Sequence, residues 1–265
     1  MALNHTHVLY PNHVLEREIE DQYNSHLDLM RFCTLDNSLA GVAGDTKKIH
    51  VYRASNGTEK LAMGEGNTKN IEVSYSEKEY QILMAQNRFA YYDEELMKDP
   101  MVVETGVGHM TTDMFNTTQA DIYDEFKKAT QSVTLAGTDY FGAFVDAVAM
   151  LPGENQEELE VFAFVHPNDK AAIRKALKDD LKYIEGISRA GYIGSCANVH
   201  LFVKADAVEG EIYGGTKKAV TYFNKKGVEV EQERDANIRL NEIYSRKYYL
   251  VALTDETQCF KIVKA

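Results

Sequence analysis

The stretch from Met101 to Val133 constrains this chain most. Its apolar residues fall at Val103, Val107, Met110, Met114, Ile122, Phe126 and Val133, with Thr118 and Ala129 filling the steps. Every interval is three or four residues, which places them on one face of a helix. Pro100 stands just before the stretch, where a helix tolerates proline, and Gly137 lies beyond it, where the chain can turn away. At ~1.5 Å per residue the rod reaches ~48 Å, far longer than an average globular helix. Gly106 and Gly108 lower helix propensity and predict irregular first turns. A rod of this length rarely closes a small-molecule site; it serves as a backbone on which other segments are hung.

Around the rod, 265 residues suffice for one large domain or two small ones with a well-buried core. No run approaches the ~20 apolar residues of a membrane span. Residues 1–13 lack a basic patch followed by an apolar run, so no secretory signal is predicted and the cytoplasm is the expected compartment. Cys33, Cys196 and Cys259 are far apart and lack zinc or redox spacing, which predicts reduced, buried thiols. Forty-one acidic residues against 29 basic ones give a net charge of −12, which argues against a surface that grips nucleic acid. Sixteen tyrosines and 11 phenylalanines leave aromatic mass for contacts between chains.

Residues 1–46 read as an arm carrying one helix, with Leu15, Ile19, Tyr23, Leu27 and Met30 at helical spacing among Glu16, Glu18, Glu20 and Asp21, and a loop after Phe32. Such a stripe cannot be buried by the helix alone and needs another surface. From Lys47 to Tyr92 the period becomes two, as in Ile71, Val73 and Tyr75, predicting a projecting β-ribbon of two or three strands with a turn at Ser55–Gly57. Beyond the rod, Asp139 caps a predicted helix that Pro152 and Gly153 end. Val161–Val165 reads as a buried strand, Pro167 opens a helix, and Val199–Val203 is a further strand. Lys204–Lys217, with Gly210, Gly214 and Gly215, reads as an exposed loop. A hairpin turning at Lys225–Gly227, a strand from Tyr244 to Thr254 and a closing strand at Phe260–Val263 complete the chain.

Chemistry-bearing motifs are scarce. His5, His7 and His13 sit near the terminus, where a rigid metal shell is hard to build; His50, His166 and His200 fall in or beside strands. Gly194-Ser195-Cys196 is not a nucleophile elbow, and Gly64-Glu65-Gly66 lacks the third glycine of a dinucleotide loop. The acid runs at Glu154–Glu160 and Asp179–Asp180 read as solvated faces. No cofactor or metal site and no catalytic residue is predicted.

The order of an arm, a projecting ribbon, a long helix, a mixed unit and returning strands resembles the major capsid proteins of tailed bacteriophages, the Hong Kong 97-type fold. The stretch "KLAMGEGNTKN" at Lys60–Asn70 followed by "IEVSYSEKEY" is similar to a capsid extended loop. Lys217–Val263 is similar to the return from axial to peripheral domain. The resemblance implies an α+β fold with an N-terminal arm (1–46), an extended loop (47–92), a peripheral domain with the spine helix (93–134 and 235–265) and an axial domain (135–234).

The same resemblance implies a shell subunit that assembles into hexamers and pentamers enclosing double-stranded DNA. Its expected partners are itself, a scaffolding protein, a portal and possible decoration proteins, with no membrane, no cofactor and no sequence-specific DNA binding. The virion is its location and the host cytoplasm its place of assembly. Lys60, Glu65 and Lys69 on the loop, Leu15, Ile19 and Tyr23 on the arm, and Asp113 and Asp121 on the helix are the expected inter-subunit contacts. Glu154, Glu157, Gly210 and Lys217 are the expected capsomer-centre loops. Some members cross-link an extended-loop lysine to a neighbour's asparagine; Lys60 and Lys69 stand at the position, with an ordinary salt bridge as the expected role. An encapsulin-type shell shares these features, and a cytoplasmic enzyme with a β-arm dimer is the alternative from another class.

Overall fold

The computed structural model describes residues 27–44, 46–55, 57–152, 160–177 and 194–264. The arm stripe Leu15, Ile19 and Tyr23 and the acidic residues Glu154 and Glu157 lie outside them. In chain order the elements are β1 (Thr34–Asp36), β2 (Thr46–Ala54), β3 (Val73–Gln81), β4 (Leu83–Tyr92), α1 (Asp93–Lys98), α2 (Met101–Lys127), β5 (Gln131–Leu135) and α3 (Tyr140–Ala149). There follow β6 (Val161–Val165), α4 (Pro167–Ala176), β7 (Ser195–Cys196), β8 (Val199–Val203), β9 (Glu211–Thr216), β10 (Val220–Asp235), β11 (Leu240–Leu253) and β12 (Cys259–Lys264).

The rod is α2. Its 27 residues make ~40 Å of helix, and Asp99 Oδ1 accepts the Met101 N–H at 3.1 Å at its start. The expected irregularity at Gly106 and Gly108 does not occur. Gly106 is required by packing: a Cβ there would stand 2.4 Å from the Phe89 ring of β4. The helix also ends earlier than its spacing suggests. Lys128 N–H donates to the Glu125 and Phe126 carbonyls, and Val133 belongs to β5, not to the helix. Thr130, Val133 and Thr134 are β-branched and prefer extended backbone, and Val133 matches the helical interval only by coincidence.

The strands form three sheets, two of which pack against α2. One has the order β1-β10-β11-β4, a second β5-β12-β9-β6-β8-β7, and β2 and β3 form a separate two-stranded ribbon. Strand β4 therefore pairs with β11 rather than with the ribbon that precedes it. All five residues of β6 are buried because the strand is covered on both faces. Phe162 and Phe164 point toward α2, where Phe126 meets their rings edge-on at 5.6 and 5.4 Å. Val161, Ala163 and Val165 point the other way, toward Phe144 of α3 and Ile173 of α4. Asp139 caps α3 by accepting the Gly142 N–H at 2.9 Å, and Pro167 opens α4, as their sequence signals require.

Four local expectations are corrected. Thr34–Asp36, expected as loop, forms β1 in parallel register with Thr221–Phe223; three residues are too few to display a period. At the described end of the predicted arm helix, residues 27–29 are non-helical and Met30–Phe32 form a 3-10 turn, while the rest of that stripe lies outside the described residues. Lys225–Gly227 does not turn. It is a bulged stretch inside the 16-residue β10, with register shifts between Asn224 and Lys226 and between Lys226 and Glu229. The true partner of β10 across its hairpin is β11. Finally, the expected exposed loop Lys204–Lys217 contains β9, whose Gly214 and Gly215 are buried. A Cβ would approach the Phe162 carbonyl oxygen to 2.4 Å from Gly214 and the Gln258 carbonyl oxygen to 2.4 Å from Gly215. Here glycine marks close strand approach, not a turn.

Candidate assembly surfaces

The ribbon β2–β3 pairs antiparallel from Thr46 opposite Gln81 to Ala54 opposite Val73. Its base is tied to the body: Tyr80 OH donates to the Leu253 carbonyl at 3.0 Å, Lys78 pairs with Glu256, and Lys47 Nζ lies 5.4 Å over the Phe223 ring. Its far end has no such support among the described residues. Val73 and Tyr75 are each 65% exposed, Ile71 is 62% exposed, and Met63 is fully exposed. A two-stranded ribbon is marginal in water, and this one carries apolar side chains that the described chain leaves uncovered.

Beyond the strands, the tip is closed at a neck. Ser55 N–H donates to the Glu72 carbonyl and Glu72 N–H to Ser55 Oγ, both at 3.0 Å. Within the tip, Glu59 accepts the Thr68 N–H and the Thr68 hydroxyl, each at 2.8 Å. The Thr68 N–H and then its hydroxyl hold the Glu59 carboxyl below the usual glutamate range. Glu65 accepts the Ala62 N–H at 3.1 Å, and the Lys69 carbonyl accepts from Asn67 at 2.7 Å. Lys60 and Lys69 flank the same hollow as Glu65, and neither ammonium forms an ion pair among the described residues. Glu59 and the Lys78–Glu256 tie carried no signal in the sequence, because both depend on partners brought together only by folding.

On α2, the two expected contact carboxylates have partners inside the chain. Asp121 accepts from Tyr249 OH of β11, and Asp113 accepts weakly from Asn87 of β4, at 3.3 Å. Gly210 and Lys217 fall at opposite ends of β9, about 23 Å apart along the strand, so they do not share a loop. Gly210 adopts φ +85°, and its N–H donates to Asp169 Oδ2 at 2.9 Å. The Lys217 carbonyl accepts from Thr34 Oγ1 at 3.0 Å. Among the described residues no group of His, Cys, Asp and Glu converges on a metal-sized site, and no helix is long and apolar enough to cross a membrane. The three cysteines are free and buried, and burial pushes the Cys33 and Cys259 thiols up to about 12 and that of Cys196 to about 11.

What stands out is a fold with a projecting, apolar, two-stranded arm. The capsid of cyanophage P-SCSP1u matches it with a TM-score of 0.75 at 13% identity, over 96% of this chain and 92% of that one. The chain has the Hong Kong 97-type capsid fold. A structure from Mycobacterium phage Che8 matches with a TM-score of 0.71 at 14% identity, over 98% of each chain. In sequence, a major capsid protein of Staphylococcus phage phiMR11 is 24% identical over 263 residues, covering 95% of this chain and 92% of that protein. No family model matches the chain. In the terms of this fold, α2 is the spine helix and β2–β3 with its tip the extended loop.

Proposed function

We propose that this protein is the major capsid subunit of a tailed phage, a structural, non-catalytic chain whose copies join as hexamers and pentamers in an icosahedral shell around double-stranded DNA. The observation that carries the proposal is likeness along the full length, in sequence to a phage major capsid protein and in fold to solved phage shells. The physics of the extended loop agrees. Its exposed apolar residues Ile71 and Val73 gain cover from another surface, and a neighbouring subunit supplies one in every copy. Stability is then shared between subunits and rises with concentration. The net charge of −12 suits a wall that contains DNA without binding it.

In this reading the spine helix with β4 and β11 forms the peripheral unit and residues 135–234 the axial unit, and β10, paired with β11 in the four-stranded sheet, joins the two. Strand β12 of the chain's return joins the axial sheet. A scaffolding protein and a portal are the expected assembly partners in the host cytoplasm. Lys60 and Lys69, on the loop tip, are available to a neighbour. The test is co-expression with the scaffolding protein followed by light scattering and cryo-electron microscopy. Closed particles that package DNA support the proposal; a chain that stays monomeric at every concentration removes it. Particles enclosing an enzyme in place of DNA would reassign the shell to the encapsulin type.

A further inference from the structure

An open groove runs between the spine helix and strands β10 and β11. Val107, Met110 and Met114 line it from the helix, Val228, Val230 and Ile243 from the strands. Val107, Val228 and Val230 are 40%, 57% and 65% exposed, so this apolar wall faces solvent in the described chain. Met30 joins Met110 and Met114 there, and unbranched thioether side chains reshape readily around an irregular guest. Thr111 and Thr118 also line the groove, but their hydroxyl protons are committed to the helix's own Val107 and Met114 carbonyls, at 3.2 and 2.9 Å.

Charge and unpartnered donors gather at one end. Ile243 marks the apolar end, since it stands opposite Phe89, whose ring packs on Gly106. Lys247 marks the other, on the same face of β11 as Tyr249, whose hydroxyl donates to Asp121. Its Nζ sits 5.2 and 5.3 Å over the Tyr222 and Tyr249 rings. Lys247 is the one charged side chain among the lining residues, and it forms no ion pair among the described residues. Burial holds its pKa below the ordinary lysine value. Beside it the groove ends at Gln119, which is fully buried. Gln119 Oε1 accepts the Leu29 N–H at 2.6 Å, while Nε2 has no hydrogen-bond partner among the described residues. An ammonium and an amide N–H left without acceptors at one end of an apolar trough call for an anion with an apolar tail.

We propose that this groove binds a linear aliphatic carboxylate, with the carboxylate on Lys247 and the chain lying along the spine helix toward Val107. The length agrees. From Gln119 back to Val107 the helix rises about 18 Å, the span of an extended acid of about twelve carbons with its terminal atoms. The chemistry agrees as well. The half-buried ammonium gains a charge-assisted hydrogen bond, and past it the chain meets only what an alkyl tail requires. An extended peptide would instead press backbone N–H and C=O groups against an apolar wall that has no partners for them. The site belongs to the free subunit and holds whether or not the chain builds a shell.

Titration calorimetry of the full-length, unassembled subunit with sodium dodecanoate, below its micelle concentration, tests the proposal. Saturable binding of one equivalent is expected. Decanoate, shorter by two methylenes, should bind roughly ten-fold more weakly. Dodecyltrimethylammonium, with the charge reversed, should lose roughly ten-fold or more. Lys247→Gln and Val230→Asp should each lower the affinity for dodecanoate roughly ten-fold or more, and Val73→Asp on the extended loop should leave it unchanged. Val230 is largely solvent-exposed, so its variant keeps the test open if Lys247→Gln disturbs the sheet. Methyl spectra of isotope-labelled methionine locate the ligand: dodecanoate should shift Met30, Met110 and Met114 and spare the fully exposed Met63 of the loop tip. Absence of saturable binding overturns the proposal, as do equal affinity for the cationic analogue, indifference to both groove variants, or a shift at Met63 alone.

Discussion

Two glycines two residues apart on the spine helix should respond to the same substitution in opposite directions. At Gly108 nothing lies within 4 Å of the point a Cβ would occupy, so Gly108→Ala should stabilise the subunit by up to about 1 kcal/mol through helix propensity. At Gly106 the same gain meets the Phe89 ring, with Cε2 and Cζ at 2.4 Å and Cε1 at 2.8 Å. Carbon atoms in contact prefer ~3.5 to 4.0 Å, so the ring must retreat by roughly 1 Å. Phe89 is held on β4 opposite Ile243 and lies 5.9 Å from the Tyr91 ring, so its retreat disturbs the helix–sheet seam. Overpacking of this kind costs about 1–3 kcal/mol, which offsets or exceeds the helix gain. The two variants should therefore differ by about 1–3 kcal/mol, with Gly106→Ala the less stable. Urea unfolding of the unassembled subunit reads this as opposite shifts of the midpoint at constant slope. In a Phe89→Ala background, Gly106→Ala should become as favourable as Gly108→Ala. Equal stabilisation by both single variants would refute the packing explanation for Gly106.

Other consequences are as direct. Phe126→Ala removes a fully buried ring from between Phe162 and Phe164 and should cost about 3–5 kcal/mol in the same urea experiment. Tyr75→Asp, on the extended loop, should leave the subunit folded by circular dichroism but abolish particles in electron micrographs. The buried thiols should resist iodoacetamide at about pH 8 until urea unfolds the chain. Because the folded state favours their protonated form, their contribution to stability is complete below the ordinary value of 9.0 and is lost as pH rises toward about 12, for Cys33 and Cys259 alike. Glu59 has the opposite sign. Its lowered folded pKa contributes order above the ordinary glutamate value, and that order is lost as pH falls through the lowered one, so Thr68 amide exchange should speed up in acid and in Glu59→Ala at neutral pH.

Signals that depend on near neighbours in sequence were legible. The spine helix showed in its interval, β6 in its unbroken apolar run, α3 and α4 in Asp139 and Pro167. Signals that depend on distant chain were not. Gly214 and Gly215 look like turn residues until Phe162 and Gln258 are seen to press on them. Lys225–Gly227 resembles a hairpin turn, but β11 supplies a continuous partner across the bulge, and pairing overrides local turn preference. Val133 fits the helical spacing and is claimed by β12, whose Ile262 lies opposite it. Asp121, expected as a contact on the helix's polar face, accepts from Tyr249 of β11, a partner that lies 128 residues away in the chain. The groove beside the spine helix was invisible for the same reason, since its two walls are more than a hundred residues apart in the chain.

The neck at Ser55 and Glu72 bears on how such a chain can change over generations. Two hydrogen bonds close it, and none of the described residues past it supports the body's core. Lengthening a closed loop is cheap, about 0.6 kcal/mol for each doubling. Foreign residues inserted between Met63 and Gly66 should therefore spare the folding of the single subunit and fail only when copies meet. Selection on this tip then acts through the assembled particle alone, and a graft there separates a defect of construction from a defect of folding in one experiment.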